Sequence, residues 1–304
     1  MTDLPCLHLH LDGSLRASTT QELASALGLT VPSDLPFSAG MGLPAALSRF
    51  AFTLSLLQTA ESVRRVASEI CEDAVADGVT TLEIRFAPQL HTQAGLPIEA
   101  VVDAALEGIA GGRVGLLLCT LYGEDPAMAR TLVDVARSRR GVVGIDLAGG
   151  PAPGARFGLK DYAAAFGAAR DLGMGRTVHA GEGRPAQEIA DAIEILHANR
   201  IGHGTTLLDG TDDGRALDQV LRHGITVEAC PTSNWHVGAI PSVSEHPLAE
   251  WLRLGVQVCV NPDNTLLSGV TASEEHRRAS RLTGIGAEEM ARMIAAGHAA
   301  AFSR

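Results

Sequence analysis

Short apolar runs alternate with longer amphipathic segments along most of the chain. Typical runs are "TTLEIRFA" from residue 80 and "VGLLLCTL" from residue 114, and "PIEAVVDAALEGIAGG" is a typical segment between them. Regular alternation of strands and helices predicts a parallel sheet, and dense apolar runs are typical of strands buried on both faces. Eight such units in 304 residues predict an α/β fold, a closed (β/α)₈ TIM barrel. The predicted strands begin near residues 6, 80, 114, 141, 175, 200, 226 and 256.

The first two predicted strands are separated by about twice the length of one strand–helix unit. The extra residues, about 29–60, include "PSDLPFSAGMGLP" and "LSRFAFTLSLLQ". An insertion after a barrel strand lies at the C-terminal face, where barrel enzymes carry their active sites. We therefore expect one barrel domain over residues 1–304, with a helical lid insertion after strand 1. The alternative is a helical decoration that does not contact the substrate.

The composition limits the kinds of binding partner and indicates the cellular compartment. The chain is 46% hydrophobic and 19% charged, which is ordinary for a globular protein. A formal net charge of −11 without a run of Lys or Arg opposes binding to nucleic acid or to an anionic membrane. No apolar stretch is long enough to cross a bilayer, and no signal peptide is visible. Five cysteines without a CxxC pair are typical of buried thiols in a reducing compartment, so we expect a cytoplasmic protein.

The segment "HLHLDGSL", which starts at His8, carries polar residues at every second position. Because side chains alternate across a strand, His8, His10 and Asp12 are expected on one side, facing the barrel interior. Two imidazoles on a buried strand need polar partners, and a divalent metal ion is the natural one. The alternative is a pair of hydrogen-bonded core histidines, and this motif alone does not decide between the two.

Residues that bind metals or transfer protons recur where three other predicted strands end. His179 and Glu182 lie in "TVHAGE", His203 lies in "RIGHG", and Asp263 and Asn264 lie in "CVNPDN". Convergence of such side chains from separate strands is typical of a barrel active site. Neutral imidazoles with one carboxylate suit zinc, with iron and manganese as alternatives.

The ordered set "HLHLDGSL", "IDLAG", "TVHAGE", "RIGHG", "CPTSN" and "NPDN" resembles the adenosine deaminase branch of the amidohydrolase superfamily. The resemblance runs from about residue 5 to the C-terminus. It implies a barrel with one Zn²⁺ per chain that hydrolyses the 6-amino group of an adenine-type ring. The expected reaction converts adenosine or 2′-deoxyadenosine to inosine or 2′-deoxyinosine and releases ammonia. The implied partner is a small purine nucleoside, and a homo-oligomer is left open.

The resemblance also implies which residues hold the metal and move protons. Glu182 would be the proton shuttle at ring N1, and His203 would orient the attacking hydroxide, with Asp263 also at the reacting centre. The chemistry supports these roles, because zinc lowers the pKa of a bound water to about 7 and the departing amine must be protonated. The implied zinc ligands are His8, His10, His179 and Asp263.

Substrate contacts are implied by position as well. His10 would also contact the substrate, Asp12 would meet the ribose 5′-hydroxyl, and the backbone of Gly149 would meet ring N3. Asn264 would face ring N7, where relatives commonly carry a second aspartate. An Asn side chain donates a hydrogen bond at every pH, whereas an aspartate must be protonated to do so. The substitution therefore preserves the contact.

Two further departures from the family pattern concern the substrate. Gly150 stands where relatives carry an acid, and Ala46 stands where they often carry an aromatic residue. Both are expected to leave room for a larger molecule, whereas Asp12 favours a free 5′-hydroxyl. The alternatives to adenosine are adenine, an N6-substituted adenosine, and a 5′-modified nucleoside such as aminodeoxyfutalosine.

Two other classes of protein compete with a deaminase. A catalytically silent binding protein should have lost a ligand or Glu182, and this chain keeps them all. A metal-dependent phosphoesterase barrel would need more metal ligands and basic phosphate contacts, which the sequence lacks. Trp235 and His236, after "CPTSN", are candidates for the pocket wall. Structural or solvated roles are expected for His91, His197, His223, His246, His276 and His298.

Overall fold

The protein forms a ring of eight parallel strands. The structure is a computed structural model and describes residues 3–109, 113–151 and 154–303. The hydrogen-bonded order of the strands follows their order in the chain, as consecutive strand–helix units require. This arrangement confirms the predicted (β/α)₈ barrel. The strands are β1 (Leu4–His10), β2 (Val79–Phe86), β3 (Arg113–Leu121), β4 (Val142–Ala148), β5 (Gly175–Ala180), β6 (Arg200–His203), β7 (Thr226–Ala229) and β8 (Gln257–Val260).

Helices connect the strands and surround the ring. Side chains at the first residues stabilise some of these helices. For example, the side chain of Thr59 accepts a hydrogen bond from the backbone N–H of Ser62 at the start of one helix. Within the described ranges, no helix combines the length and the apolarity needed to span a bilayer. The helices are α1 (Ala17–Ala26), α2 (Leu43–Leu56), α3 (Ala60–Ala76), α4 (Ile98–Gly108), α5 (Pro126–Arg137), α6 (Ala163–Asp171), α7 (Gln187–Leu196), α8 (Arg215–His223), α9 (Pro231–His236), α10 (Leu248–Arg253), α11 (Ala272–Ala279) and α12 (Ala287–Ala300).

The two faces of the strands differ in polarity. Apolar side chains such as Val63, Phe166 and Trp251 are fully buried in the layer between the strands and the outer helices. The strands are buried on both faces, as expected, but their dense apolar runs also contain charged residues at alternate, inward-facing positions. The charged residues paired inside the ring are Glu83, Arg85, Asp146, Arg200 and Glu228.

The ring closes onto β1 through the segment that follows β8. The backbone carbonyl of Asp263 accepts the N–H of His10 at 2.8 Å, and the Asp263 N–H donates to the carbonyl of His8 at 3.1 Å. The side-chain oxygen of Asn261 accepts the backbone N–H groups of Leu7 at 2.7 Å and of His8 at 3.2 Å. The end of β1 and the residues after β8 therefore lie side by side at the C-terminal face.

The insertion between β1 and β2 lies at the C-terminal mouth of the ring. Leu35, Phe37 and Ala46 from this segment pack in one apolar cluster with Val237 and Leu267, which follow β7 and β8. Burial of these side chains against the strand-end loops holds the segment in place. That the segment opens and closes as a lid stays a prediction.

We predict that Asn261→Ala lowers the free energy of unfolding by about 2–4 kcal/mol, because two buried N–H groups of β1 lose their acceptor. Urea denaturation followed by circular dichroism measures this loss. Asn199→Ala is the matched control: that exposed amide accepts a single bond from the N–H of Arg176, and its loss should cost about 1 kcal/mol or less. Equal losses in the two variants would show that closure of the ring does not depend on Asn261.

Candidate active site

The strand β1 directs two histidines into the ring. His8 and His10 lie at alternate positions on its inner side, and His8 is fully buried. The strand ends at His10, so Asp12 lies in the 3₁₀ turn Leu11–Gly13. The prediction that Asp12 shares the strand face is therefore wrong, because the chain turns where the barrel wall ends. The turn still leaves Asp12 beside His10 in the wall of one cavity.

The four predicted zinc ligands meet at the open end of the ring. The Nε2 atoms of His10 and His179 are 3.2 Å apart. The Oδ1 atom of Asp263 lies 3.4 Å from Nε2 of His8 and 3.5 Å from Nε2 of His10. Ligand atoms of tetrahedral zinc lie about 3.3–3.6 Å from one another, because each bond is about 2.0–2.2 Å long. The spacing therefore fits a divalent cation, and the buried Nε2 of His8 has no hydrogen-bond partner among the described residues.

The charge state of the imidazoles also suits a metal ion. Burial lowers the pKa of His10 to about 3, and it lowers the pKa values of His179 and His203 below the usual value. For His8, burial and Arg85 lower the pKa, but the carboxylates of Asp263 and Glu228 raise it and prevail. Neutral rings offer the lone pair that a metal requires. The carboxylates that favour positive charge at His8 favour a cation there equally.

Two of the histidines each contact a buried carboxylate through Nδ1. The Nδ1 atom of His8 lies 2.7 Å from Oε2 of Glu228, and Nδ1 of His179 lies 3.1 Å from Oδ1 of Asp146. Arg85 joins the two carboxylates, because it donates to Asp146 at 2.9 Å and to Glu228 at 2.8 Å. A carboxylate on Nδ1 fixes the tautomer and the ring orientation that leave Nε2 free for a metal.

Glu182 and His203 lie next to the four predicted zinc ligands. The Oε1 atom of Glu182 is 3.6 Å from Nδ1 of His203. Burial and the nearby Asp263 raise the pKa of Glu182 to about 8. The amide of Asn234 donates to Nδ1 of His203 at 3.0 Å, so the proton of the neutral ring lies on Nε2. The site therefore combines a carboxyl that exchanges protons near neutral pH with an imidazole held in one tautomer.

The cavity at the mouth has two adjoining parts. Asp12 lines the outer part, Asn264 lines the part beside the four predicted zinc ligands, and Gly149 lines both. One side-chain oxygen of Asp12 and one of Asn264 are buried without a hydrogen-bond partner in the described ranges. A Cβ atom at Gly13 would lie 1.8 Å from Oδ1 of Asn264, so only glycine fits at residue 13 with Asn264 in this position. A concave wall with a few unpartnered polar atoms is typical of a small-molecule site.

Comparison with known proteins identifies the family. The family profile described as "Adenosine deaminase" matches residues 5–304. The chain belongs to the adenosine deaminase family. It is 34% identical to the adenosine deaminase of Clostridium acetobutylicum, over 98% of this chain and 92% of that protein. It is 36% identical to a probable adenosine deaminase of Dictyostelium discoideum, over 97% of this chain, and it spans 40% of that protein's length.

Solved structures of other deaminases share the fold. The adenine deaminase of Arthrobacter aurescens has a TM-score of 0.87 at 25% identity, over 100% of this chain and 95% of that one. The N6-mAMP deaminase of arabidopsis has a TM-score of 0.87 at 27% identity, over 99% of this chain and 94% of that one. The protein is thus an adenosine deaminase-like hydrolase of a metal-dependent superfamily and acts on a C–N bond.

Gly150, where the sequence predicts extra room, lines the cavity next to Gly149. A Cβ atom at Gly150 would lie 2.7 Å from the side chain of Leu43 and 2.9 Å from Nη1 of Arg184. That the absence of a side chain at Gly150 admits a larger molecule stays a prediction. Ala46 also lines the cavity, beside Leu43 and Phe50. In this adenosine deaminase family member, the insertion after β1 thus forms part of the cavity wall.

Several residues of the site have no role in the sequence-based prediction. The signal for Arg85, Asp146 and Glu228 is a charged residue within the otherwise apolar runs "LEIRF", "GIDLA" and "TVEA", at positions that face into the ring. Asn234 lies within the family motif "CPTSN" but carries no assigned contact. His91, expected to be structural, lies below Asp12, with Nε2 at 3.8 Å from the carboxylate. Burial and strand register, which the sequence does not report, distinguish these residues from ordinary polar ones.

The predicted wall residues Trp235 and His236 do not line the described cavity. Ser233 and Val237, from the same part of the chain, line it instead. The ring of Trp235 stacks on His236 with centroids 5.2 Å apart. Cys230, expected on a strand, precedes α9, and burial raises the pKa of its thiol well above the usual value. It is therefore a protonated thiol, in agreement with the core role expected for it.

We predict that Glu228→Gln lowers the zinc affinity of this family member by about 10–100-fold, because His8 loses the carboxylate that orients its ring. Competition with a chromophoric chelator measures this affinity. The matched control is Glu275→Gln, which changes another fully buried carboxyl, bonded to Thr232 instead of a histidine. Zinc affinity equal to that of the unmodified protein in Glu228→Gln would show that this carboxylate does not support the metal site.

Proposed function

We propose that this protein is a zinc-dependent adenosine deaminase that converts adenosine or 2′-deoxyadenosine to the corresponding inosine and releases ammonia. The observation that carries the proposal is the group of His8, His10 and Asp263, whose ligand atoms lie close enough to share one metal ion. His179 lies 3.2 Å from His10, and the buried carboxyl of Glu182 is in the same cavity wall. The group lies in a member of the adenosine deaminase family, in which the Clostridium acetobutylicum relative is named for this activity.

In this proposal one zinc ion per chain is held by His8, His10, His179 and Asp263. The donor set supports zinc, because three neutral imidazoles and one carboxylate are ligands that zinc accepts in tetrahedral geometry. When bound, zinc supplies a nucleophile at neutral pH by lowering the pKa of a coordinated water to about 7. Glu228 and Asp146 hold the histidine rings in the orientation that this chemistry needs.

Glu182 carries the proton in the proposed reaction. Because its pKa lies at about 8, its carboxyl is mostly protonated at neutral pH and can donate to ring N1. Protonation at N1 makes C6 more electrophilic. The resulting carboxylate then takes one proton of the attacking water and passes it to the 6-amino group, which leaves as ammonia. The second water proton returns to Glu182 as the hydroxyl at C6 becomes the carbonyl of inosine. His203 donates from Nε2 to the oxygen that attacks C6 and keeps it in line with the ring.

Three further residues would orient the purine and the ribose. The amide of Asn264 donates to N7, the backbone N–H of Gly149 donates to N3, and Asp12 accepts the 5′-hydroxyl. The unpartnered buried oxygen of Asp12 supports its assignment, since the hydroxyl of a bound nucleoside can supply the missing donor. Gly149 has φ 72°, a conformation that glycine adopts without strain and that exposes its backbone to the cavity.

The second candidate function is deamination of a related adenine compound. Two solved neighbours with the same TM-score are named as an adenine deaminase and an N6-mAMP deaminase. Asp12 argues against a 5′-phosphate, because two negative groups would meet at the end of the ribose, and no Lys or Arg of the described residues lines the outer part of the cavity. We therefore place adenosine before N6-substituted nucleotides, free adenine and 5′-modified nucleosides such as aminodeoxyfutalosine.

We further propose that the protein works in the cytoplasm on a small-molecule substrate, without nucleic-acid or membrane partners. Cys6, Cys119, Cys230 and Cys259 are buried free thiols, as expected in a reducing compartment. The net charge of −11 supports the absence of polyanionic partners. Size-exclusion chromatography with light scattering would distinguish a monomer from a homo-oligomer.

We predict that Glu182→Gln lowers kcat by at least about 10²-fold, because an amide does not transfer the proton, while about one zinc per chain is retained. The fall in ultraviolet absorbance as adenosine becomes inosine measures the rate, and elemental analysis measures the zinc. Glu188→Gln, at a neighbouring carboxyl that bonds to Arg184, is the control and should keep kcat within a few-fold. Near-normal turnover by Glu182→Gln would mean that another group carries the proton.

We predict that kcat/KM for adenosine exceeds that for 5′-deoxyadenosine by about 10–100-fold, because Asp12 is left buried without a partner when the hydroxyl is absent. The same absorbance assay, run with adenosine, 5′-deoxyadenosine, adenine, N6-methyladenosine and a 5′-thioether, gives the order of preference. Asp12→Ala should reduce the difference between the first two substrates to a few-fold. Faster turnover of adenine or of the 5′-thioether than of adenosine would favour the second candidate function.

A further inference from the structure

Phe302 lies half-buried at the end of the ring opposite the cavity. The guanidinium carbon of Arg200 lies 3.7 Å from the centroid of the Phe302 ring. A Cβ atom at Gly175, the first residue of β5, would lie 2.1 Å from the same ring, and one at Gly144 would lie 3.1 Å from it. The backbone N–H of Phe302 donates to Oε1 of Glu83 at 2.6 Å. Phe302 therefore occupies a seat formed by two glycines and two buried charged groups.

Arg200 connects this seat to the inner charges of the ring. Its Nε donates to Oε1 of Glu228 at 2.6 Å, its Nη1 donates to the carbonyl of Ala300 at 2.9 Å, and it also pairs with Glu83. The other oxygen of Glu228 holds Nδ1 of His8 at 2.7 Å. A continuous series of direct contacts thus runs from Phe302 through Arg200 and Glu228 to a residue in the group that fits a metal.

We propose that Phe302 is a positioning residue for the metal centre and that it acts on His8 through Arg200 and Glu228. The inference rests on the zinc ligands of the proposed function. The ring covers one face of the guanidinium and excludes water from it, and the carbonyl of Ala300 fixes Nη1. Together they hold Nε toward Glu228, and Glu228 in turn keeps its second oxygen on His8.

Loss of the Phe302 side chain would loosen this series of contacts, beginning with Arg200. Water would reach Arg200, which is 1% exposed, and would offer it partners other than Glu228. Glu228 would then be less constrained in the orientation that holds Nδ1 of His8. A histidine that loses the fixed orientation of its ring binds a metal ion more weakly. A residue that only fills space at the end of the barrel opposite the cavity would, in contrast, change the stability of the fold and leave the metal affinity unchanged.

Zinc affinity of the full chain tests the inference. Competition with a chromophoric chelator is carried out at a temperature at which circular dichroism shows every variant folded. Phe302→Ala should lower the zinc affinity by at least about 3-fold, less than the 10–100-fold expected when a direct partner of a ligand is lost. Phe166→Leu is the control, because Phe166 is a fully buried aromatic residue of the outer core; it should lower the melting temperature and leave zinc affinity unchanged.

A second substitution tests the seat from the other side. Gly175→Ala places a methyl group where the ring of Phe302 lies and should displace the ring, with a loss of zinc affinity similar to that of Phe302→Ala. The double variant should be no worse than either single variant, since the methyl group then fills space that the ring has left. Such non-additivity is the signature of two residues that act through one contact.

The outcomes separate this inference from the proposed function. Unmodified protein that binds no zinc would contradict the proposed function. Unmodified protein that binds zinc, with equal affinity in Phe302→Ala, would overturn the inference alone, as would additive losses in the double variant. If Phe302→Ala does not fold, Phe302→Leu and Gly175→Ala decide by the same measurement.

Discussion

The arrangement of the site depends on the pairing of Arg85 with two carboxylates inside the ring. Burial raises the pKa of Asp146, but His179 and Arg85 outweigh it and hold that pKa well below its usual range. Burial likewise opposes ionisation of Glu228, and Arg85 and Arg200 overcome it. Removal of one partner from such a buried group typically costs about 3–5 kcal/mol, because the remaining charge has no solvent. Removal of any one of these charged side chains is therefore expected to destabilise its partners.

This pairing contributes orientation more than stability. A buried ion pair gains little over a well-packed apolar core, because both partners lose their hydration. What it provides here is a fixed direction for two imidazoles, since Glu228 and Asp146 each use one oxygen on a histidine and at least one contact on Arg85. The apolar layer outside the strands supplies the burial that this arrangement needs. The inner and outer faces of the strands thus serve different purposes.

Closure of the barrel and assembly of the site occur at the same residues. The backbone of Asp263 completes the ring against β1, and its side chain lies 3.4 Å from His8. Asp263 and His203 have φ values of 64° and 68°, a region that non-glycine residues enter at a cost of about 1–3 kcal/mol. Hydrogen bonds on both sides of Asp263 hold it in that conformation. Strain of this kind is common where side chains must point into a site.

The architecture and the residue types of the site follow from local patterns in the chain. Alternation of apolar runs and amphipathic segments is a local property, so the ring of eight strands followed from it directly. The spacing of His8 and His10 and the positions of His179, Glu182 and His203 at strand ends are local as well. These features indicate a metal site at the C-terminal face, and the ordered motifs indicate the family.

The contacts between residues that are distant in the chain depend on the folded ring. Arg85 pairs with Asp146 and Glu228, which are 61 and 143 positions away, and Phe302 reaches Glu83 across 219 positions. Gly150 lines the cavity beside Leu43 and Arg184, which come from two other parts of the chain. The physical reason is the same in each case: local patterns set the face on which a side chain lies, whereas closure of the ring and the register of its strands set the side chains that it faces.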